Sequence, residues 1–222
     1  MVRRVPVDRS TARHHAAWIL LAVVWAAFFL CVWLGAPDTV ERTLKGLLMP
    51  ALLLCVVVAQ GTRAPFWLVL GLIFATLGDI AIDVTLEAGL LGFLGMQICY
   101  IVGFLRLGAV RAATARWAAL GYGLVWITVN LALGPALGDL QLPVLVYSAA
   151  LCTMAALGAG VNARVGVGAA LFLISDTLIA CGEADLDFVG RSALVMPTYL
   201  AAQYLIATGW LRRVSPGVRL PL

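Results

Sequence analysis

The chain has 222 residues, of which 63% are hydrophobic and only 12% charged, with a mean hydropathy of +1.03. A typical soluble domain is about 45–50% apolar and about 25% charged, and a compact chain of this size has too little interior to hide the difference. Lipid is the solvent for the excess, which excludes a soluble enzyme, a disordered chain and a nucleic-acid-binding domain. One transmembrane helix takes roughly 20 residues, so eight would use ~160 of the 222. That leaves short loops, and 1–222 reads as a single integral membrane domain.

Arg3, Arg4, Arg9 and Arg13 precede the first apolar run, 16–34. The pattern is that of a signal peptide, but the run is long enough to span and reads as an uncleaved first helix. Further apolar runs, punctuated by Gly, Pro and charge, put spans at 44–60, 64–84, 89–106, 117–134, 142–160, 164–181 and 193–211. The expected fold class is all-α, a polytopic transmembrane bundle of eight spans.

The net charge of +4 then becomes a matter of position. Arg63, Arg106, Arg111, Arg116, Arg164, Arg212, Arg213 and Arg219 fall in loops or tails on the same side as the N-terminal arginines. Only Arg42, Lys45 and Arg191, of 15 basic residues, fall on the other. The positive-inside rule places both termini in the cytoplasm, in a protein of the cytoplasmic membrane. Acids show the opposite bias: Asp8 is inner, whereas Asp38, Glu41, Glu87, Asp139, Glu183, Asp185 and Asp187 are outer. An arginine-rich inner rim can touch anionic lipid headgroups, and no nucleic-acid partner is implied.

Five cysteines, Cys31, Cys55, Cys99, Cys152 and Cys181, are far apart, and no pair has CxxC spacing. They read as small buried hydrophobes rather than a zinc site or a disulfide framework. His14 and His15 are the only histidines, and both precede the first expected span. No metal or cofactor is expected, and phosphate-loop, GxSxG and HExxH patterns are missing.

Three aspartates are left inside the spans: Asp79, Asp83 and Asp176. A charge at bilayer depth costs about 2.5–3.5 kcal/mol on insertion scales, and such residues usually face the interior and mark function. Asp79 lies roughly 22 Å along span three from its cytoplasmic end, in the outer half. Asp83 follows at i+4, which puts both carboxylates on one helix face. Asp176 lies near the middle of span seven. Gln97 and Tyr100 in span four, Tyr199 and Gln203 in span eight, Asn130 in span five and Tyr147 in span six lie at similar outer depths. Lys45, the only lysine, opens span two at the outer face. The inner halves are almost purely apolar, so a polar chamber open to the outer side is expected. Any one of the uncharged groups can instead simply bond a neighbouring helix.

Leu77-Gly78-Asp79-Ile80 echoes Ile174-Ser175-Asp176-Thr177, each with a small residue before an aspartate in an outward-running helix. Each is followed by an inward-running helix with a glutamine and a tyrosine. A parallel duplication of four helices is suggested, of a kind known in membrane folds.

With Lys45-Gly46-Leu47-Leu48-Met49-Pro50, Leu77-Gly78-Asp79, the stretch 93–100, Phe172-Leu173-Ile174-Ser175-Asp176-Thr177-Leu178 and Tyr199-Leu200-Ala201-Ala202-Gln203, the sequence resembles the YhhN, or lysoplasmalogenase, family. The resemblance implies a multi-pass membrane enzyme. It would cleave the vinyl-ether bond of a lysophospholipid substrate, releasing a fatty aldehyde and a glycerophospho head group. Two positions depart from the family pattern: Gly46 follows Lys45 where a proline is common, and Gln97 stands where a histidine is common. Glutamine can hydrogen-bond but cannot shuttle a proton at neutral pH.

The residues support such a reaction. A vinyl ether hydrolyses by protonation at carbon, capture of the oxocarbenium ion by water and collapse of the hemiacetal. That takes one protonated carboxyl and one carboxylate, and two aspartates in a low-dielectric chamber can divide these roles. Asp79 and Asp176 are the expected acid–base pair, with the roles open. Gln97, Tyr100, Tyr199 and Gln203 would orient water and the pair. Lys45, with Arg42 or Arg191, would hold the phosphate, and Asp83 and Asn130 complete the candidate set. Two other classes stay open: a small proton-coupled transporter and a non-catalytic lipid-binding bundle. Oligomeric state is not legible in the sequence.

Overall fold

A long apolar segment in lipid has no water to satisfy its amides, so it closes its own hydrogen bonds as a helix. The computed structural model describes residues 9–215, with side chains from residue 13. The order is α1 (Arg9–Trp33), α2 (Asp38–Gln60), α3 (Phe66–Ala81), α4 (Leu86–Arg106), α5 (Ala113–Leu133), α6 (Gln141–Val161), α7 (Ala163–Glu183) and α8 (Arg191–Val214), joined by turns and short 3-10 segments. No strand occurs among the described residues. Arg3, Arg4, Asp8 and Arg219, used above to orient the chain, lie outside the described residues.

Each expected span finds a helix, but two of them differ from a simple membrane crossing. Six helices, α1, α2 and α4 to α7, are long and apolar enough to cross. α3 has 16 residues, about 24 Å of helix against a hydrocarbon core of about 30 Å. It stops at Ala81, and 82–84 form a turn. α8 is long enough at 24 residues, yet Thr198, Tyr199, Gln203, Tyr204 and Thr208 make it too polar. Its position explains this. Tyr199, Leu200, Ala202, Gln203 and the run 206–211 are buried, so α8 meets protein rather than lipid. α2 starts earlier than expected, at Asp38. Lys45 therefore sits two turns into the helix instead of opening it. Asp38 and Glu41 occupy the first turn, where acids suit the helix dipole.

Contacts between helix ends show that the helices alternate in direction. At one end Ser215 donates to Gln60 Oε1 at 2.9 Å, and Asn162, which caps α7, donates to the Gly209 carbonyl at 2.9 Å. Arg164 Nε donates to Thr208 at 2.8 Å, and Arg106 lies over the Trp67 ring. The opposite end is joined by Lys45 with Asp83 and by Arg191, which donates to the Leu178 carbonyl. Chain neighbours pack together, most extensively α3 on α4 and α7 on α8.

The α3–α4 crossing depends on missing side chains. A Cβ on Gly92 would stand 2.6 Å from the Gly78 Cα, and one on Gly78 would stand 2.9 Å from the Phe93 ring. Small residues let helices in lipid approach this closely. One continuous core, with Phe28, Leu48, Leu72, Tyr100, Phe104 and Phe172 fully buried, runs through every helix except α5. Large apolar side chains such as Leu91, Trp117, Leu124 and Leu131 face outward, as a bundle solvated by lipid requires. Four cysteines are buried, Cys181 is partly so, and all five are free thiols.

Candidate active site

α3 carries Asp79 less than one turn from its end, 3% exposed. A carboxyl this deep needs a donor, and α8 supplies it: the Tyr199 hydroxyl donates to Asp79 Oδ2 at 2.9 Å. The Tyr199 ring is fixed edge-on between Phe93 of α4, at 5.8 Å, and Phe172 of α7, at 5.6 Å. Edge-to-face contacts of this kind hold a ring in one orientation. Ser175 Oγ donates to the Val195 carbonyl at 3.0 Å, tying α7 to α8 just before Pro197 interrupts the α8 hydrogen-bond ladder.

Asp176 of α7 is half-buried. The buried Tyr147 hydroxyl, from α6, donates to its Oδ2. Asp176 lies within electrostatic reach of Asp79. Each aspartate of the sequence echo thus has its own tyrosine, and Phe172, one turn before Asp176 on α7, packs edge-on against Tyr199, the partner of Asp79. Gln97 of α4 is fully buried beside the Tyr147 hydroxyl, and neither of its amide atoms meets hydrogen-bond geometry with a described residue. Buried polar groups are normally paired, so an amide aimed at the Asp176–Tyr147 pair with its capacity intact is suited to an oxygen-bearing ligand or water.

One layer deeper, Tyr100 donates to Gln203 Oε1 at 2.9 Å, and Gln203 Nε2 approaches Met96 Sδ at 3.0 Å. The Tyr100 ring lies against Gly71, where any side chain would collide with it, and edge-on to Trp210 at 5.8 Å. Below this layer the packing is mostly apolar until the contacts of Thr208 with Arg164 and of Asn162 with Gly209.

On the outer side, Lys45 Nζ pairs with Asp83 Oδ1 at 2.7 Å, and both side chains are partly exposed. Lys45 is also within electrostatic reach of Asp79. Asp83 departs from expectation. Because α3 has ended, it does not share a helix face with Asp79; it lies in the turn, with Lys45 as its partner. Arg191 is engaged by Asp187, Nε to Oδ1 at 2.8 Å, and Arg42 is exposed on α2. A Cβ at Gly46 would make ordinary contact with Ile80 at 3.7 Å, so glycine is not required there by packing.

Asn130 is set apart from the aspartates' hydrogen bonds. Its Nδ2 donates to the Trp126 carbonyl at 2.8 Å and to Ser148 Oγ at 3.2 Å, bracing α5 against α6. It does border the same cavity as Asp176 and Tyr147. That cavity lies among α4 to α7, with Leu86, Leu90, Phe93, Val129, Leu151 and Leu173 in its mostly apolar wall. Asp79, Gln97, Tyr100, Tyr199 and Gln203 stand behind the wall. Among the described residues, no group of three or more His, Cys, Asp or Glu side chains comes together as a metal site would need.

Tyr147 lies at the depth expected from the sequence but outside the candidate set, although it is the partner of Asp176. The tyrosine–serine pair at 147–148, polar in an apolar run, was the available signal. Phe93 and Phe172, which position Tyr199, carried none, since aromatic residues in a span are ordinary core.

Residues 40–210 match the YhhN family. The chain is also similar to a protein named lysoplasmalogenase from Mycobacterium bovis (strain ATCC BAA-935 / AF2122/97). The two are 31% identical over 236 residues, covering 93% of this chain and 88% of the relative. A lysoplasmalogenase from Mycobacterium tuberculosis (strain CDC 1551 / Oshkosh) matches with the same identity and coverage. No solved structure matches.

Proposed function

The chain belongs to the YhhN family, and from that premise we propose that it is a membrane-embedded hydrolase that cleaves the vinyl-ether bond of lysoplasmalogens. The observation that carries the reading is the placement of Asp176, with Tyr147, in the wall of a mostly apolar cavity. An alkenyl lipid there would meet Asp176 among hydrocarbon, with Glu183, at the exposed end of α7, the other carboxyl in the lining.

Asp176 gives its proton to the vinyl carbon that is not bonded to the ether oxygen. The double bond supplies the electron pair, and the adjacent carbon becomes an oxocarbenium ion. Asp79, held by Tyr199 behind the cavity wall, acts through the field of its carboxylate to stabilise that cation. Water held at the Gln97 amide adds to the cationic carbon and loses a proton to the carboxylate side of the site. The hemiacetal then breaks its C–O bond, leaving the aldehyde and the glycerol hydroxyl. Lys45 uses one donor on Asp83 and retains others for phosphate. All eight helices cross the membrane in this account, with both termini cytoplasmic, and α1 to α4 and α5 to α8 are the two copies of a repeat. α3 crosses short because its outer end opens the chamber.

Purified protein given lysoplasmalogen should release free aldehyde and glycerophospho head group in equal amounts. Substrate-dependent proton flux into liposomes with no aldehyde would replace the hydrolase with a carrier. Lipid binding with neither would leave a non-catalytic lipid-binding bundle.

A further inference from the structure

α5 is held to the bundle differently from its neighbours. Its buried residues are Ala115 and Leu133, near the two ends. Between them, a Cβ at Gly121 or Gly123 would meet nothing within 4 Å. Trp126 bridges the gap. Its indole N–H donates to Ser148 Oγ at 3.1 Å and to the Leu145 carbonyl at 3.3 Å, both on α6, and Asn130 braces the same serine.

A cavity lies on each side of this bridge. The outer one contains Asp176 and Tyr147. The inner one is bordered by Ile101, Leu105, Tyr122, Gly123 and Leu157, with Arg116 toward the end where α5 begins. Trp126 and Cys152 line both cavities, so those two side chains form the boundary between them. Arg116, Ala119, Gly123, Trp126 and Asn130 recur at three- and four-residue steps, a single stripe down α5. From Ala115 to Leu133 that face measures about 27 Å, close to the hydrocarbon thickness of about 30 Å. Between Tyr147, the partner of Asp176, and Cys152 at the boundary there is only about 7.5 Å of helix, too little for a long lipid chain running inward from Asp176. A chain whose head reacts at Asp176 has an apolar path onward past the indole.

We propose that the two cavities form one groove for a single long unbranched hydrocarbon chain, running from Asp176 toward Arg116, with Trp126 as the constriction the chain passes and Gly123 as the open wall beyond it. The occupant is the alkenyl tail of the substrate, an identity that rests on the hydrolase reading. Each methylene buried beyond Trp126 adds to binding, which makes Trp126 and Gly123 determinants of chain length.

The test reads tail position without turnover. A palmityl lysophosphatidylcholine with a diazirine at the chain end is photolysed with the full-length protein in detergent, and the labelled residues are mapped. Label is expected on α5 and α6 inward of Trp126, around Tyr122 and Leu157, and excess unlabelled lysolipid should remove it. Gly123→Leu should cut that label tenfold or more. Trp126→Ala, which widens the passage, should increase it. In vinyl-ether turnover, Gly123→Leu should lower the preference for palmityl over octyl substrates by tenfold or more. Label spread over outward residues such as Ile19 and Leu91, or label on α5 that neither competitor nor Gly123→Leu reduces, would overturn the groove. The predicted labelling without aldehyde from any substrate would support the groove and overturn the hydrolase reading.

Discussion

Asp79 has a single described hydrogen-bond donor, the Tyr199 hydroxyl at 2.9 Å, and that makes the tyrosine the sensitive point of the buried site. Tyr199→Phe keeps the ring between Phe93 and Phe172 and removes only the donor. A buried acceptor left unpaired costs about 1–3 kcal/mol, so the variant should melt lower in detergent and lose turnover together. A melting temperature equal to the wild type would mean that Tyr199 does not hold Asp79. Residue by residue, the site was partly legible. Charge at bilayer depth marked Asp79 and Asp176, because lipid makes an unneeded carboxyl costly. Partners were not legible, because Tyr147 and Tyr199 reach their aspartates across helix packing that no spacing rule encodes. Asp83 misled for a local reason: α3 ends two residues before it, and i,i+4 geometry ends with the helix.

At the scale of elements, α3 and α4 place Asp79 through a crossing that has no room for a side chain. Gly92→Leu would drive a side chain into the Gly78 backbone, 2.6 Å from where its Cβ would stand. Overpacking typically costs about 1–3 kcal/mol. The variant should therefore lose thermal stability, whereas Gly123→Leu, which meets open space, should not. The α7–α8 turn has an electrostatic latch. Arg191 donates to Asp187 and holds its carboxyl below the usual carboxylate range. A depressed folded value contributes order above the unfolded pKa of about 3.9, lost as pH falls through the folded one. Because the aspartate is exposed, the contribution is small. Amide exchange at 185–190 should rise on acidification below about pH 4, and in Asp187→Asn it should already be raised at neutral pH. The eight helices were legible as apolar runs. The burial of α8 was not, although its polarity was a clue: a helix with Tyr199, Gln203 and Thr208 has to be screened from lipid by its neighbours.

Over the whole molecule, high apolar content was enough to read a helical bundle, and the one-sided distribution of arginine gives its expected orientation. Contacts among helix ends give the same alternation of direction. The cavity behind α5 was invisible in the sequence, because it exists only where a helix stands away from its neighbours. Central to the account is Asp176 as the proton donor to a lipid vinyl ether. The most direct test is the aldehyde released from lysoplasmalogen by purified Asp176→Asn beside the wild type, with both shown to be folded by their melting temperatures. General acid catalysis contributes typically 10²–10⁴-fold, so the account predicts turnover reduced by about a hundredfold or more. An aldehyde yield equal to the wild type would contradict it.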